Sequence, residues 1–240
     1  MANLRFGSLP GTAAEAEAIA PFFPKITILT ESNATEQALK QISAPQILHI
    51  ATHGFFLEDV ELVASPNFRY NRSLWVTPDP NAIAVVNAEN PLLRSGLALA
   101  GFNNRRSGSE DGVLTAWEVA GLDLYGTQLV VLSACDTGVG EVNNGEGVYG
   151  LRRALAMAGA QSQLISLWKV SDKGTMELMV RYYQRLLSNQ GRSEAYRQTQ
   201  LEMLENSQYQ HPYFWAAFIP SGDWRPLDSR VRTRELLFSK

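Results

Sequence analysis

Along the 240 residues, short apolar runs alternate with segments of helical period. The runs are Ile26–Leu29, Gln46–Ala51, Leu97–Gly101, Gln128–Ala134, Gln163–Trp168 and Trp215–Ile219. Nearly continuous apolar runs, several of them rich in β-branched residues, are the pattern of strands buried on both faces of a mostly parallel sheet. Between them, Thr12–Ala20 opens on a Thr-x-x-Glu capping signal, Thr12 to Glu15. Ala34–Ile42, Thr115–Val119, Gly147–Ala158, Asp172–Leu187 and Ser193–Leu204 also read as helices. The longest is amphipathic through Met176, Met179, Val180, Tyr183 and Leu187. Strands alternating with helices of this length predict an α/β fold joined by crossover connections.

Two stretches break the alternation. Leu57–Arg94 is loop-like and holds Pro66, Pro78, Pro80 and Pro91. A loop of that length inside a compact domain is expected to be functional or a lid, and Phe68, Tyr70 and Trp75 within it are candidates for an interface. Residues 225–240 form a basic tail through Arg225, Arg230, Arg232, Arg234 and Lys240, expected to be a solvated terminus or a linker. The expected organisation is one domain over residues 1–224, followed by that tail.

Composition narrows the function classes. Apolar residues make up 45% and aromatics 10% of the chain, enough for a full core and against intrinsic disorder. A formal charge of −3 leaves no basic footprint for direct nucleic-acid binding. No run of about 18 apolar residues spans a bilayer. The start lacks the charged and continuously apolar regions of a secretory signal, so a cytoplasmic setting without membrane contact is expected. The one cysteine, Cys135, cannot form an internal disulfide or anchor a four-ligand zinc site. His49 and His53 have i, i+4 spacing, but on a strand and its exit they do not share a face as they would on a helix. No metal or cofactor is expected.

In parallel α/β sheets, chemistry gathers at the carboxyl ends of the strands. Two strand ends carry capable residues: His53-Gly54 after the Gln46–Ala51 run, and Cys135 after the Gln128–Ala134 run. They lie 135 − 53 = 82 positions apart, a distance that adjacent parallel strands can close. A thiol needs a base or a positive neighbour to become a thiolate at neutral pH. Imidazole can activate it and can protonate a leaving amine. Gly54 lets the backbone approach a substrate closely, and its N–H could serve an oxyanion. The exit Asp136-Thr137-Gly138 would set Cys135 at an exposed turn. Each residue also has an ordinary reading, Cys135 as a small buried hydrophobe and His53 as a hydrogen-bonded structural residue. A G-x-G-x-x-G pattern at Gly145–Gly150 invites a dinucleotide site. It is set aside because ten residues, 135–144, separate it from its strand.

The segments ILHIATHGFF, LVVLSACDTGVGEVNNGEGVYGLRRALAMAGA, LISLWKVSD and HPYFWAAFIPSG resemble the CHAT domain, a branch of the caspase-like clan CD cysteine peptidases related to separase and the caspases. The resemblance runs from residue 9 to residue 224. It implies a caspase-like three-layer sandwich, a roughly six-stranded mostly parallel sheet with helices on both faces. It implies a catalytic dyad of Cys135 and His53, and an oxyanion hole of the Gly54 and Cys135 N–H groups. The implied activity is peptide-bond hydrolysis without a cofactor, held latent until a partner or an attached tetratricopeptide-type module acts. Trp168 and Asp172 resemble the separase stretch lining the pocket for the residue before the cut. A buried Asp172 carboxylate would favour arginine or lysine there; the other reading makes Asp172 the cap of a helix starting at Lys173. Asp136 and Glu146 are further candidates for that acidity. The alternative to an enzyme is a catalytically silent CHAT scaffold that binds a partner protein.

Overall fold

A computed structural model describes residues 4–57, 91–136, 146–168, 171–228 and 235–239. Its centre is a mixed sheet whose main path runs β1-β8-β2-β5-β6-β7. The strands are β1 (Thr27–Thr30), β2 (Ile47–Phe56), β3 (Ser95–Ala98), β4 (Val113–Thr115), β5 (Leu129–Asp136), β6 (Ser162–Ser166), β7 (Phe218–Gly222) and β8 (Glu235–Ser239). From β1 through β6 every neighbour on this path is parallel, and β7 closes it antiparallel to β6. β3 pairs antiparallel with the end of β2, and β4 with β3, as a hairpin off the main path. The helices are α1 (Pro10–Ile19), α2 (Glu36–Lys40), α3 (Pro91–Arg94), α4 (Ala116–Val119), α5 (Glu146–Met157), α6 (Asp172–Leu187) and α7 (Arg192–Glu205).

Strand alternation divides the core into two layers. Ile47, Leu129, Val131, Leu164 and Leu237 pack with α1, α6 and α7 through Ala16, Leu178, Tyr182, Tyr183 and Tyr196. Leu48, Ile50, Val130, Leu132 and Ile165 pack with α2, α4 and α5 through Leu39, Val119, Leu151 and Leu155. Both faces of the sheet are therefore covered, as the continuous apolar runs predict. The result is a three-layer sandwich with six strands on its main path and helices on both faces.

Several expectations change in detail. The Leu97–Gly101 run predicts a strand of the parallel set; the strand is Ser95–Ala98 and runs antiparallel beside β2. The Trp215–Ile219 run pairs only from Phe218, as β7, because the 3-10 turn at Pro212–Phe214, capped by His211, carries its turn on into residues 215–217, where Trp215 and Ala216 N–H both donate to the Pro212 carbonyl. Thr12 is not a cap. Proline holds the first position of α1 and Leu9 precedes it, so Thr12 lies inside the helix and its hydroxyl donates to the Leu9 carbonyl at 2.7 Å. The Thr-x-x-Glu device occurs instead at Thr115 and Glu118, where both reciprocal bonds form. Within the C-terminal segment, Glu235–Ser239 is not a solvated end but β8, hydrogen-bonded between β1 and β2. The loop aromatics Phe68, Tyr70 and Trp75, and the tail residues Arg230, Arg232, Arg234 and Lys240, lie outside the described residues.

Glu15 of α1 has a role that capping did not predict. Its carboxylate lies 3.2 Å from His49 Nε2, and the other ring nitrogen meets the Tyr183 hydroxyl at 2.9 Å. All three groups are buried, and burial drives the Tyr183 hydroxyl well above its ordinary pKa. Glu15, His49 and Tyr183 thus tie α1 and α6 to β2 through polar groups that have no access to water. His49→Leu leaves a buried carboxylate and hydroxyl without this partner, and the expected loss is about 3 kcal/mol of stability. Chemical denaturation of the variant checks this, and a change under about 0.5 kcal/mol contradicts it.

Candidate active site

The β2–β5 ladder sets the geometry of the site. Its register runs from Ile47↔Leu129 to Gly54↔Asp136, with His53 opposite Cys135. Neighbouring strands lie about 4.8 Å apart, so the two backbone positions stand side by side. The sequence between them leaves as the β3–β4 hairpin and α4, and then returns, so no strand intervenes.

His53 is buried, with 7% of its surface exposed. The ring of Phe6 lies against it, centroids 4.8 Å apart and planes 19° from parallel. Its Nε2 meets the Gly7 carbonyl at 3.0 Å. A carbonyl only accepts, so Nε2 carries the hydrogen, and in the neutral ring the basic lone pair sits on Nδ1. The N-terminal strap that supplies both contacts is itself fastened. Phe6 N–H donates to Asn103 Oδ1 at 3.0 Å, and Asn103 Nδ2 donates back to the Phe6 carbonyl at 2.7 Å. The Phe6 ring also stands edge-on to Phe102, at 4.9 Å. Phe6, Gly7 and Asn103 escape a reading of the sequence because no motif joins them. Only a Gly near the Pro10 helix start hints that the strap turns there.

Hydrogen bonds fix the phase of both ladders. Leu57 N–H donates to the Arg94 carbonyl at 2.8 Å, and antiparallel alternation then turns the Gly54 N–H away from β3 and toward β5. Leu129 N–H donates to the Gln46 carbonyl at 3.2 Å, and in the same phase the Cys135 N–H faces β2.

The remaining candidates fall around this edge in different ways. Asp172 is exposed, not buried, and it is the first residue of α6 and not its cap. The cap is Ser171, whose hydroxyl accepts from Gly174 N–H at 3.4 Å. Asp172 nevertheless lies against the strap's continuation, since a Cβ on Gly11 would stand only 2.2 Å from the Asp172 Cβ. The contacts to His53 and to Asp172 therefore lie four positions apart along the chain, at Gly7 and Gly11. Trp168, just beyond β6, is 40% exposed. Asp136 closes β5 and Glu146 opens α5, and for neither is the side chain described. Among the described residues, no group of three or more His, Cys, Asp or Glu stands close enough to hold a metal ion. Nor is any described helix long and apolar enough to cross a membrane.

Comparison with known proteins agrees with this architecture. The family model described as the CHAT domain matches residues 1–223. Tetratricopeptide repeat protein 28 of Homo sapiens is 32% identical over 117 residues, 49% of this chain and 5% of that protein. The Mus musculus protein of the same name is 24% identical over 239 residues, 93% of this chain and 9% of that protein. The chain thus spans under a tenth of the length of these curated relatives. With the family match running through both His53 and Cys135, the chain belongs to the CHAT domain family, whose fold is caspase-like.

Proposed function

We propose that this chain is a cysteine endopeptidase domain working through Cys135 and His53. The observation that carries the reading is the register pairing of His53 with Cys135 on adjacent parallel strands. Strand alternation supports it, since counting by twos from His49 and from Val131 assigns positions 53 and 135 to the same face. In the proposed reaction the Cys135 thiolate attacks the peptide carbonyl carbon, and the oxygen takes the negative charge. The C–N bond then breaks while His53 gives its proton to the departing amine. A water deprotonated by His53 next attacks the thioester, releasing the acid and restoring the thiol. Because Nε2 is engaged by Gly7, Nδ1 is the atom that carries these protons. The oxyanion role proposed for the Gly54 and Cys135 N–H groups requires them to exchange a strand partner for substrate oxygen, so substrate binding opens the head of the ladder.

Asp172 is proposed as the acidic wall for a basic residue before the cut, with Trp168 flanking it and Asp136 and Glu146 as further acidic candidates. Its exposure and its contact with the strap through Gly11 support this, because an exposed carboxylate can meet an incoming cation. A tetratricopeptide-type module is the proposed regulator, in a cytoplasmic setting, and the names of the relatives favour that class of partner. The same names favour the second reading, a silent scaffold that binds a partner protein.

Labelling separates the two readings. Peptidyl acyloxymethyl ketones carrying Arg, Lys, Met, Leu or Asp next to the warhead are expected to give one adduct on the native chain, read by intact mass. Cys135→Ala is expected to abolish it, and His53→Ala to slow it by about 10²–10⁴-fold. Asp172→Asn is expected to slow the Arg and Lys probes selectively. No adduct on the folded protein, with Cys135 reacting only after denaturation, supports a latent domain or the scaffold, and reconstitution with a partner separates those two. Phe6→Ala removes the ring that stacks on His53, and the expected result is about tenfold slower labelling with the same probe preference. An unchanged rate contradicts a positioning role for the strap.

A further inference from the structure

On the opposite side of the β5–β6–β7 sheet from α6, a cleft of about 360 Å³ opens between α5 and the β6–β7 pair. Its walls include Tyr149, Arg152 and Arg153 of α5, and Gln163 of β6 with Ser221 of β7. Gln163 and Ser221 are register partners. Three observations mark this cleft as built rather than incidental. The first is charge: neither Arg152 nor Arg153 has an ion-pair or hydrogen-bond partner among the described residues, although the chain as a whole is acidic.

The second is an orphaned buried atom. Gln163 is 95% buried, and its Oε1 has no hydrogen-bond partner among the described residues. A buried carbonyl oxygen left unpaired costs about 1–3 kcal/mol, so such atoms are rare unless something outside the fold completes them. The third is rigidity. Gly222 has φ +88°, and a Cβ there would lie 2.2 Å from the Gln161 carbonyl oxygen. Only glycine lets the end of β7 close against the start of β6 at this floor, so the cleft keeps its shape without a ligand.

We infer that this cleft binds an acidic peptide segment of a partner protein. The guanidiniums of Arg152 and Arg153 take carboxylates, for which their planar donor pairs are matched. The exposed ring of Tyr149 flanks them and offers an amphipathic surface. Gln163 Oε1 favours a peptide over a simple carboxylate: a carboxylate oxygen accepts but does not donate, whereas a backbone N–H can satisfy that oxygen once the amide turns toward the cleft. The site is separate from the His53–Cys135 edge, and its argument does not depend on catalysis. It also lies on α5, the helix that begins 146 − 135 = 11 positions after Cys135.

The test is fluorescence anisotropy with the full chain and a labelled, end-blocked peptide of repeated Gly-Asp-Glu. Its Gly-Asn-Gln counterpart serves as the neutral control. The native chain is expected to bind the acidic peptide saturably and the neutral one at least tenfold more weakly. Arg152→Gln/Arg153→Gln is expected to weaken binding at least tenfold, and Gln163→Leu at least threefold. The charge-matched pair Lys25→Gln/Arg197→Gln, which removes exposed cations elsewhere, is expected to leave it unchanged. Circular dichroism melts establish that each variant is folded. Absence of saturable binding, or equal losses in the two double variants, overturns the site. Binding of inorganic phosphate with the same sensitivity to Arg152 and Arg153, and full displacement of the peptide by it, identifies a free-anion site and overturns the peptide assignment.

Discussion

The parallel pairing of β2 with β5 is the constraint on which the rest of the molecule depends. The two strands hold eight register pairs, and their alternate side chains feed two cores at once. Ile47, Leu129 and Val131 belong to the α1–α6–α7 side, and Leu48, Ile50, Val130 and Leu132 to the α2–α4–α5 side. A slip of one residue would move every one of these to the wrong layer, so the hydrophobic effect fixes the register far more tightly than the ladder alone could. The same register sets His53 opposite Cys135. The alignment on which the proposed chemistry relies is therefore paid for by the fold's own core, several residues below the site.

The environment of His53 comes from elements remote in sequence. The strap at residues 6–7 stacks on the ring and fixes its hydrogen, and the strap is held in turn by Asn103 and Phe102 beyond the β3 strand. Four residues further on, Gly11 brings α1 against the start of α6 at Asp172. Beneath them, Glu15 reaches His49, whose other ring nitrogen meets Tyr183. One short N-terminal stretch thus touches the proposed general base, the proposed specificity residue and a buried polar network. Movement of that stretch would alter all three together.

How much of this is legible in the sequence depends on what sets each feature. The bounds of α6, Asp172–Leu187, follow directly from a 3.6-residue apolar period over sixteen positions. The strands β2, β5 and β6 are legible because both-face burial leaves continuous apolar runs. The candidate dyad is legible because strand exits collect chemistry, and family resemblance singles out the same two residues. Position β8 is not legible: Glu235–Ser239 is a five-residue run in a basic surrounding, and only the gap between β1 and β2 makes it a strand. Thr12 shows the limit of local signals, since Pro10 starts α1 earlier and frees Glu15 to be buried against His49. Asp172 shows another, because Ser171 is the better-placed cap and only geometry distinguishes them. The Phe6–His53 stack and the Gln163 orphan are tertiary facts with no periodic or motif signature.

The central claim is that β2 and β5 bring an imidazole and a thiol into one reacting pair. The most direct measurement is the pH dependence of Cys135 alkylation by iodoacetamide in the folded chain, compared between the native protein and His53→Ala. A thiol without a partner ionises near 8.5, and an imidazolium beside it stabilises the thiolate and moves that ionisation to lower pH. The account predicts substantial alkylation of the native protein near pH 6, and its loss in His53→Ala, whose profile rises only as an ordinary thiol does. Coincident profiles for the two proteins would contradict the account.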